Sequence, residues 1–314
     1  MFGLALPGVG SGSQLIDRNA TDVTLAVNAD GEALVSYRKN GVRQRVLAWG
    51  AVDARHPSPN ARQVTLKLDY SGGSRTFGRR ASRSFENACR RYDGPRLPFL
   101  VPGAACKASD GSYWALQRWQ PALPNLGFLP WLPRHRAVEL HISHWTRPVA
   151  KLDVWTRWVS GGRYHHLFGR LTYRGTPVYG YRSTKFGAPT DGYGRLVYLD
   201  TFNARSYGRG WRRENSFVSH NPTGAFCYGL YARTPGASGY EKPVAWPAGR
   251  PRGPGVGDKY RLSVSGPGVT PDVSVVVPGL HDFNPRNPAD VAYAQAQEAA
   301  LNAIRGRHKL CVHR

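Results

Sequence analysis

The sequence lacks any apolar run of the roughly 18 residues that a membrane-spanning helix requires, so we expect no membrane span. It also lacks C-x-x-C pairs, an H-E-x-x-H motif and any regular spacing of Cys and His, so no metal site and no cofactor is predicted. No segment repeats at a fixed period, which argues against a solenoid or a propeller. The first twelve residues, MFGLALPGVGSG, have no basic start, so residues 1–20 are predicted to be a disordered tail or a signal-peptide remnant.

Acidic residues are scarce, with 20 Asp plus Glu against 43 Lys plus Arg, a net charge of +23. The cations are 35 Arg and only 8 Lys, a bias that a GC-rich genome produces without selection for any ligand. The positive field still attracts polyanions, whether nucleic acid, anionic lipid or an acidic cell-wall polymer. No basic helix, RNP motif or zinc module is present, so charge is the only support for nucleic-acid binding.

The pattern of the chain predicts a mainly β protein. The 36 Gly and 24 Pro argue against long helices, and short alternating runs separated by turns such as Asp30-Gly31 and Asn40-Gly41 are typical of antiparallel strands. We predict a small antiparallel β meander over 21–80, a short helix and Pro-rich linker over 81–110, and a main antiparallel β-sandwich or jelly roll over 111–284. A C-terminal helix and tail complete the chain over 285–314.

Two helices are predicted from their end signals. Ser84–Tyr92 is predicted to be one short helix with Ser84 as its N-cap. Asn287-Pro288 is a capping residue followed by Pro at the first helical position, so Ala289–Ile304 is predicted to be the C-terminal helix.

The cysteines are even in number, and two of them lie beside Pro- and Gly-rich segments: Cys89, Cys106, Cys227 and Cys311. This favours two disulfides in an oxidising compartment over four reduced, buried thiols. We predict the pairs Cys89–Cys106, which closes a loop around the Pro-rich segment, and Cys227–Cys311, which anchors the terminal helix. Other pairings stay open, since four cysteines allow three.

The runs Val138–Trp145 and Leu152–Trp158 are predicted to pair as a hairpin with a polar face. That face would hold Glu139, His141, Ser143, Asp153, Trp155 and Arg157. A hydrolytic triad needs the imidazole between the hydroxyl and the carboxylate, whereas here Asp153 would face Ser143. A solvated polar face is therefore favoured, with Trp145, Trp155 and Arg157 as candidates for binding a ligand.

A second candidate site lies in the run 195–202, where Tyr198, Asp200 and Phe202 share one face. A carboxylate between aromatic rings is typical of sugar sites, and a glycosidase would add a second carboxylate, for which Glu214 is the nearest in sequence. His220 is the other weak catalytic candidate, because it lies close to Cys227. Since cations outnumber carboxylates, we expect an Arg or backbone donors to hold Asp200 in a structural or ligand-contacting role.

The segments CKASDGSYWALQRWQ, HISHW, YHHLFGRLTYRGTPVYGYRSTKFG, GRLVYLDTF and GWRRENSFVSHNPTGAFCYG resemble a group of exported proteins of high-GC actinobacteria without an established function. The resemblance covers most of the chain after about residue 20. It implies export and cysteine pairing but no activity, and the absence of a recognisable signal peptide departs from it.

The sequence therefore favours a non-catalytic protein of the cell envelope or exterior that binds an anionic or carbohydrate polymer through aromatic and Arg side chains. The first alternative is an envelope-acting glycan hydrolase that uses Asp200 with Glu214 or His220. The second is a nucleic-acid-binding protein that acts through its positive charge alone.

Overall fold

The computed structural model describes residues 13–56, 63–78, 85–120, 137–146, 148–159, 164–177, 182–183, 189–190, 197–203, 210–213, 218–220, 225–231 and 258–305. Within these ranges, strands far outnumber helical segments. The prediction of a mainly β protein is confirmed.

In chain order the first ten strands are β1 (Gln14–Arg18), β2 (Thr21–Val27), β3 (Ala33–Lys39), β4 (Val42–Trp49), β5 (Lys67–Asp69), β6 (Arg90–Arg91), β7 (Leu100–Lys107), β8 (Tyr113–Trp119), β9 (Glu139–Trp145) and β10 (Lys151–Val159). They are followed by β11 (Tyr164–Tyr173), β12 (Thr176–Pro177), β13 (Arg182–Ser183), β14 (Pro189–Thr190), β15 (Val197–Asn203), β16 (Gly210–Arg213), β17 (Val218–His220), β18 (Ala225–Tyr231), β19 (Lys259–Val264) and β20 (Val273–Pro278). The helices in the described ranges are α1 (Ser74–Phe77) and α2 (Pro288–Arg305).

The described strands form four larger antiparallel sheets. Sheet A has the order β1-β9-β8-β7-β6, and sheet B the order β2-β3-β4-β5. Sheet C has the order β10-β11-β18-β17, with β12 added to β11, and sheet D the order β16-β15-β19-β20. A separate pair joins β13 to β14.

Sheet B is the meander predicted over 21–80. Its β3–β4 turn is built on Asn40 and Gly41, whose φ values of 49° and 80° are both positive. Two-residue hairpin turns of type I′ need positive φ at both central positions, which explains why Asn-Gly occurs there. One face of sheet B packs on sheet A around buried residues such as Val35, Val46 and Leu140. The meander therefore covers its apolar face with strands that come later in the chain.

Sheets C and D enclose a second core. Alternate residues of their strands point inward, among them Leu167 and Leu171 from β11, Leu199 from β15 and Leu262 from β19. The predicted β-sandwich is thus present, but its start differs from the prediction, because β8 and β9 belong to sheet A rather than to this sandwich.

The N-terminal prediction is wrong for the part of it that the structure describes. Residues 14–18 form β1, an edge strand of sheet A that pairs with β9, instead of a disordered tail. Gln14 holds the strand against the meander, because its side chain donates to the Leu66 carbonyl and accepts from the Leu66 amide. Residues 1–12 lie outside the described residues.

The short helix predicted at Ser84–Tyr92 is not formed over 85–92, where the chain runs extended and contributes β6. The Asn87 side chain accepts from the amide of Val27, and the Ala88 amide donates to the Val27 carbonyl, so the segment continues the edge of β2. The predicted linker is likewise in part a strand, because Leu100–Lys107 is β7. Tertiary pairing has overridden the local helix signals here.

The C-terminal helix is confirmed as α2. The Asn287 side chain accepts from the Ala289 amide, and Pro288 occupies the first helical position, as the end signals predict. The helix packs on β10, where the ring of Tyr293 lies 5.7 Å from that of Trp158. Residues 306–314 lie outside the described residues, and in the described part no helix is long and apolar enough to cross a membrane.

The predicted Cys89–Cys106 disulfide is present and joins the residue directly before β6 to β7, next to the core between sheets A and B. Cys227 lies on β18, but Cys311 is outside the described residues, so the Cys227–Cys311 pair stays a prediction.

Removal of the first disulfide is expected to destabilise the protein. The bond links residues 17 positions apart, and closing a loop of this size restricts the unfolded chain by about 3 kcal/mol. The double variant Cys89→Ala/Cys106→Ala should lose this amount of unfolding free energy in urea. A loss below about 1 kcal/mol, in a protein whose Cys89–Cys106 bond has been verified by non-reducing peptide mapping, would contradict the expectation.

Candidate functional site

The predicted hairpin between residues 138–145 and 152–158 is wrong. Strand β9 pairs with β8 on one edge and β1 on the other, while β10 pairs with β11 in sheet C. The chain leaves sheet A after β9, where the amide and hydroxyl of Thr146 both donate to the Asp53 carboxylate, at 3.1 and 2.6 Å. Because both edges of β9 are occupied, β10 has no edge to join, and the proposed face is divided between two sheets.

The ligand-binding candidates from those two strands have different surroundings. Trp145 is completely buried, 5.5 Å from the Tyr113 ring, so it cannot contact an external ligand. Trp155 stacks on Phe168 on the face of sheet C opposite its core, and Arg157 is ion-paired with Glu298 of α2. Arg157 is therefore engaged in holding the terminal helix.

The catalytic candidates near Asp200 cannot be assembled from the described part of the chain. Glu214 lies outside the described residues. His220 is the last residue of β17, and its side chain is likewise not described.

Asp200 itself is held by an arginine, as predicted. Its side chain is only 2% exposed, and both Nε and Nη2 of Arg261 donate to its Oδ2 atom, at 3.0 and 2.8 Å. The two residues are directly opposite each other on β15 and β19. A general acid must carry a proton, whereas a carboxylate bonded to a guanidinium acts as an acceptor, which suits a positioning role.

Aromatic rings surround this ion pair. The Arg261 guanidinium lies 4.5 Å from the centre of the Trp211 ring and 5.5 Å from that of Phe99. Phe202 contacts Trp211 edge-on at 5.3 Å, and the Lys259 ammonium lies 6.0 Å from the Phe202 ring. We call these five residues, Phe99, Phe202, Trp211, Lys259 and Arg261, the Arg261 platform.

The platform occupies the side of sheet D that faces away from the core. Leu199, Tyr260 and Leu262 lie in the core between sheets C and D, so the residues that alternate with them point to the other side. Val276, which is opposite Arg261 on β20, is 53% exposed. The alternation of β15 and β19 therefore brings Phe202, Lys259 and Arg261 to one face, where Lys259 is exposed, Phe202 and Arg261 are partly exposed, and Asp200 is buried.

A buried polar cluster lies next to the platform, formed by Ser13, Glu139, His141 and Asp272. His141 Nε2 is 2.9 Å from the Glu139 carboxylate, and Nδ1 is 2.8 Å from the Ser13 hydroxyl. Ser13 in turn donates to Asp272. Two donors of Arg18 bind the other oxygen of Glu139, at 3.0 and 2.9 Å. We call the four residues the His141 cluster.

The hydrogen bonds of the cluster indicate that His141 is doubly protonated. Ser13 has a single hydroxyl proton and gives it to the Asp272 carboxylate, so towards Nδ1 of His141 it can only accept. The Glu139 carboxylate also accepts, so Nε2 must donate. His141 is thus an imidazolium between two carboxylates, and Arg18 balances the second negative charge.

The pKa shifts agree with this assignment. Burial by itself would lower the pKa of His141, but the charges of Asp272 and Glu139 outweigh burial and raise it. Burial would likewise raise the pKa of Glu139, but its bonds and attraction to His141 and Arg18 outweigh burial and lower it. Each group stabilises the charged form of the other.

The cluster places an imidazole between a hydroxyl and a carboxylate, an arrangement that the sequence did not predict. It does not have the properties of a hydrolytic triad, in which the imidazole accepts the hydroxyl proton. Here Ser13 donates its hydroxyl proton to the Asp272 carboxylate, and Ser13 is completely buried. The arrangement is suited to fastening β1 to β9 and to the loop before β20.

Trp119 connects the His141 cluster to the Arg261 platform. Its Nε1 donates to Asp272 at 3.0 Å, and its ring stacks on Phe99 at 5.6 Å with an interplanar angle of 12°. The same ring contacts Tyr198 edge-on at 5.3 Å. Tyr198 is 7% exposed, so this predicted ligand-binding residue is buried against Trp119.

Among the described residues no group of three or more His, Cys, Asp or Glu could hold a metal ion. No protein-family model, curated protein or solved structure matches the chain.

Sequence reasoning identified Asp200 and Phe202 but missed Phe99, Trp211, Lys259 and Arg261. The alternation of Lys259 and Arg261 with Tyr260 and Leu262 was a usable signal, because it predicts two cations on one strand face. Nothing in the sequence indicates that β19 lies next to β15, or that Phe99 reaches Arg261 from another sheet.

Proposed function

We propose that the protein is a non-catalytic, exported or cell-envelope protein that binds an anionic or carbohydrate polymer through the Arg261 platform. The observation that carries the proposal is a guanidinium set between two partly exposed aromatic rings on the outer face of a sheet. Aromatic faces pack against the C–H surfaces of sugars, and a guanidinium binds anionic groups.

Two further observations support the proposal. The Cys89–Cys106 disulfide is compatible with an oxidising compartment, which fits export. The ion pair of Asp200 with Arg261 and the burial of the His141 cluster argue against hydrolysis at either place. Nucleic-acid binding is still supported by the net charge alone.

Loss of platform rings is expected to weaken polymer binding. Trp211→Ala and Phe202→Ala should each reduce retention on immobilised cell-wall polymers about two- to tenfold, since one aromatic contact contributes about 0.5–1.5 kcal/mol. The matched control is Tyr70→Ala, which removes an exposed aromatic ring from the turn after β5. Retention that is unchanged in both platform variants, or release of reducing ends by the purified protein, would contradict the proposal.

Phe99 should show an unusual order of stability among its variants. Its φ of 56° is in the region that disfavours residues with a Cβ atom, and it presents a ring to Arg261 from this strained backbone. We expect Phe99→Gly to be about 1 kcal/mol more stable in urea than Phe99→Ala. Both variants lack the ring and should lose polymer retention equally. A Gly variant less stable than the Ala variant would show that the backbone is unstrained.

A further inference from the structure

We infer that the polymer is an acidic polysaccharide, and that a sugar carboxylate binds the outer edge of the Arg261 guanidinium. The inference rests on the proposed function and specifies its ligand.

The first argument is the set of donors that Arg261 leaves available. A guanidinium has five N–H donors in a planar fork, and Arg261 directs Nε and Nη2 to Asp200. Within the described residues Nη1 has no hydrogen-bond partner, and the side chain is 18% exposed. Asp200 therefore fixes one edge of the fork, and the other edge can bind a second carboxylate with little loss of conformational freedom.

The second argument is the position of the rings. Trp211 and Phe99 flank the guanidinium, and Phe202 extends the aromatic surface from Trp211. A carboxylate that binds Arg261 would carry its sugar ring onto this surface. Rings beside the guanidinium also exclude water, which strengthens a charged hydrogen bond.

The third argument is the charge of the platform. Asp200 offsets one positive charge, but Lys259 is exposed and has no ion-pair partner within the described residues. Lys259 and Arg261 are two residues apart on β19 and so lie on one face, about 7 Å apart along the strand. Two cations at this spacing favour a chain with repeated carboxylates over a neutral glycan.

The test compares an acidic polymer with its methyl ester, which removes the carboxylate charge and adds a methyl group. Polygalacturonate should bind at least tenfold more tightly than its methyl ester in titration calorimetry at low salt. The ratio of the affinity for polygalacturonate to that for the methyl ester should fall about tenfold in Arg261→Lys, which keeps the charge but loses the planar guanidinium. The same ratio should fall about threefold in Lys259→Gln. Lys259 is exposed, so this second variant tests the inference even where Arg261→Lys does not fold.

Each other outcome has a defined meaning. Equal affinity for both polymers, with binding lost in Trp211→Ala, would overturn the acidic-sugar inference and leave the proposed function standing. No binding to any polymer would overturn both. Single-stranded DNA that displaces polygalacturonate at equal charge concentration and binds more tightly would overturn the inference in favour of nucleic acid.

Discussion

Replacing Asp272 with Ala is expected to lower the free energy of unfolding by about 3–5 kcal/mol. The carboxylate is 1% exposed and accepts from Ser13, from the Gly266 amide and from Trp119 Nε1. It is also one of the two anions that face the His141 imidazolium, at 3.5 Å. The substitution leaves these donors and a buried cation unpaired, and unpaired buried groups cost more than the bonds themselves contribute.

The measurement is urea unfolding at pH 6, with Asp282→Ala as the matched control. Asp282 is an exposed carboxylate in the segment before α2, so its removal should change stability by no more than about 0.5 kcal/mol. The loss of unfolding free energy in Asp272→Asn should lie between those of Asp272→Ala and Asp282→Ala, because the amide oxygen can still accept from Trp119 but the side chain carries no charge. A loss of less than 1 kcal/mol in Asp272→Ala would show that the His141 cluster does not fasten the sheets.

Local patterns predicted several turns and the C-terminal helix well, although the helix signals at Ser84–Tyr92 were misleading. Asn40-Gly41 marked the β3–β4 turn, and Asn287-Pro288 marked the start of α2, because both depend on backbone conformations that few residues adopt. The Cys89–Cys106 pair was predictable for a related reason, since the two residues flank a short Pro-rich segment. These features are specified by neighbours in sequence.

Pairing between distant strands was not predictable from the pattern. The alternation in Val138–Trp145 identified a strand but did not identify its neighbours in the sheet. The predicted hairpin with 152–158 rested on the assumption that the next strand along the chain would pair with it. The partner on one edge is β1, more than a hundred residues earlier. A strand with few local signals, such as Gln14–Arg18, is formed because sheet A supplies its hydrogen bonds.

The same limit applies to the candidate site. The expectation that an Arg holds Asp200 followed from the excess of cations, but the identity of that Arg depended on the β15–β19 pairing. The members of the His141 cluster come from the residue before β1, from β9 and from the loop before β20, so no sequence spacing relates Ser13 to His141 or Asp272. Sites built across sheets become visible only when the topology is known.

Replacing His141 with Gln is expected to cost about 3–5 kcal/mol at pH 6, because it removes the cation from between two buried carboxylates. The cost should depend on pH. The pKa of His141 is raised in the folded protein above the 6.5 of the unfolded chain, so its contribution to stability is complete below pH 6.5 and is lost as the pH rises through the folded value. The gap between the native protein and the variant should therefore be widest near pH 5.5–6.5 and narrow above it.

The comparison is made by urea unfolding of both proteins between pH 5 and pH 9, with His56→Gln as the control at an exposed position. The lower limit avoids the protonation of Glu139, whose lowered pKa keeps its own contribution intact above pH 4.5. Burial lowers the pKa of His144, which acts in the opposite direction, but His144 is present in both proteins and cancels in their difference. A gap that is constant above about pH 6.5 and shrinks below it would mean that His141 is held neutral in the folded protein. In that case Ser13 would have to give its proton to the imidazole rather than to Asp272, which would restore the proton arrangement of a hydrolytic triad to the cluster.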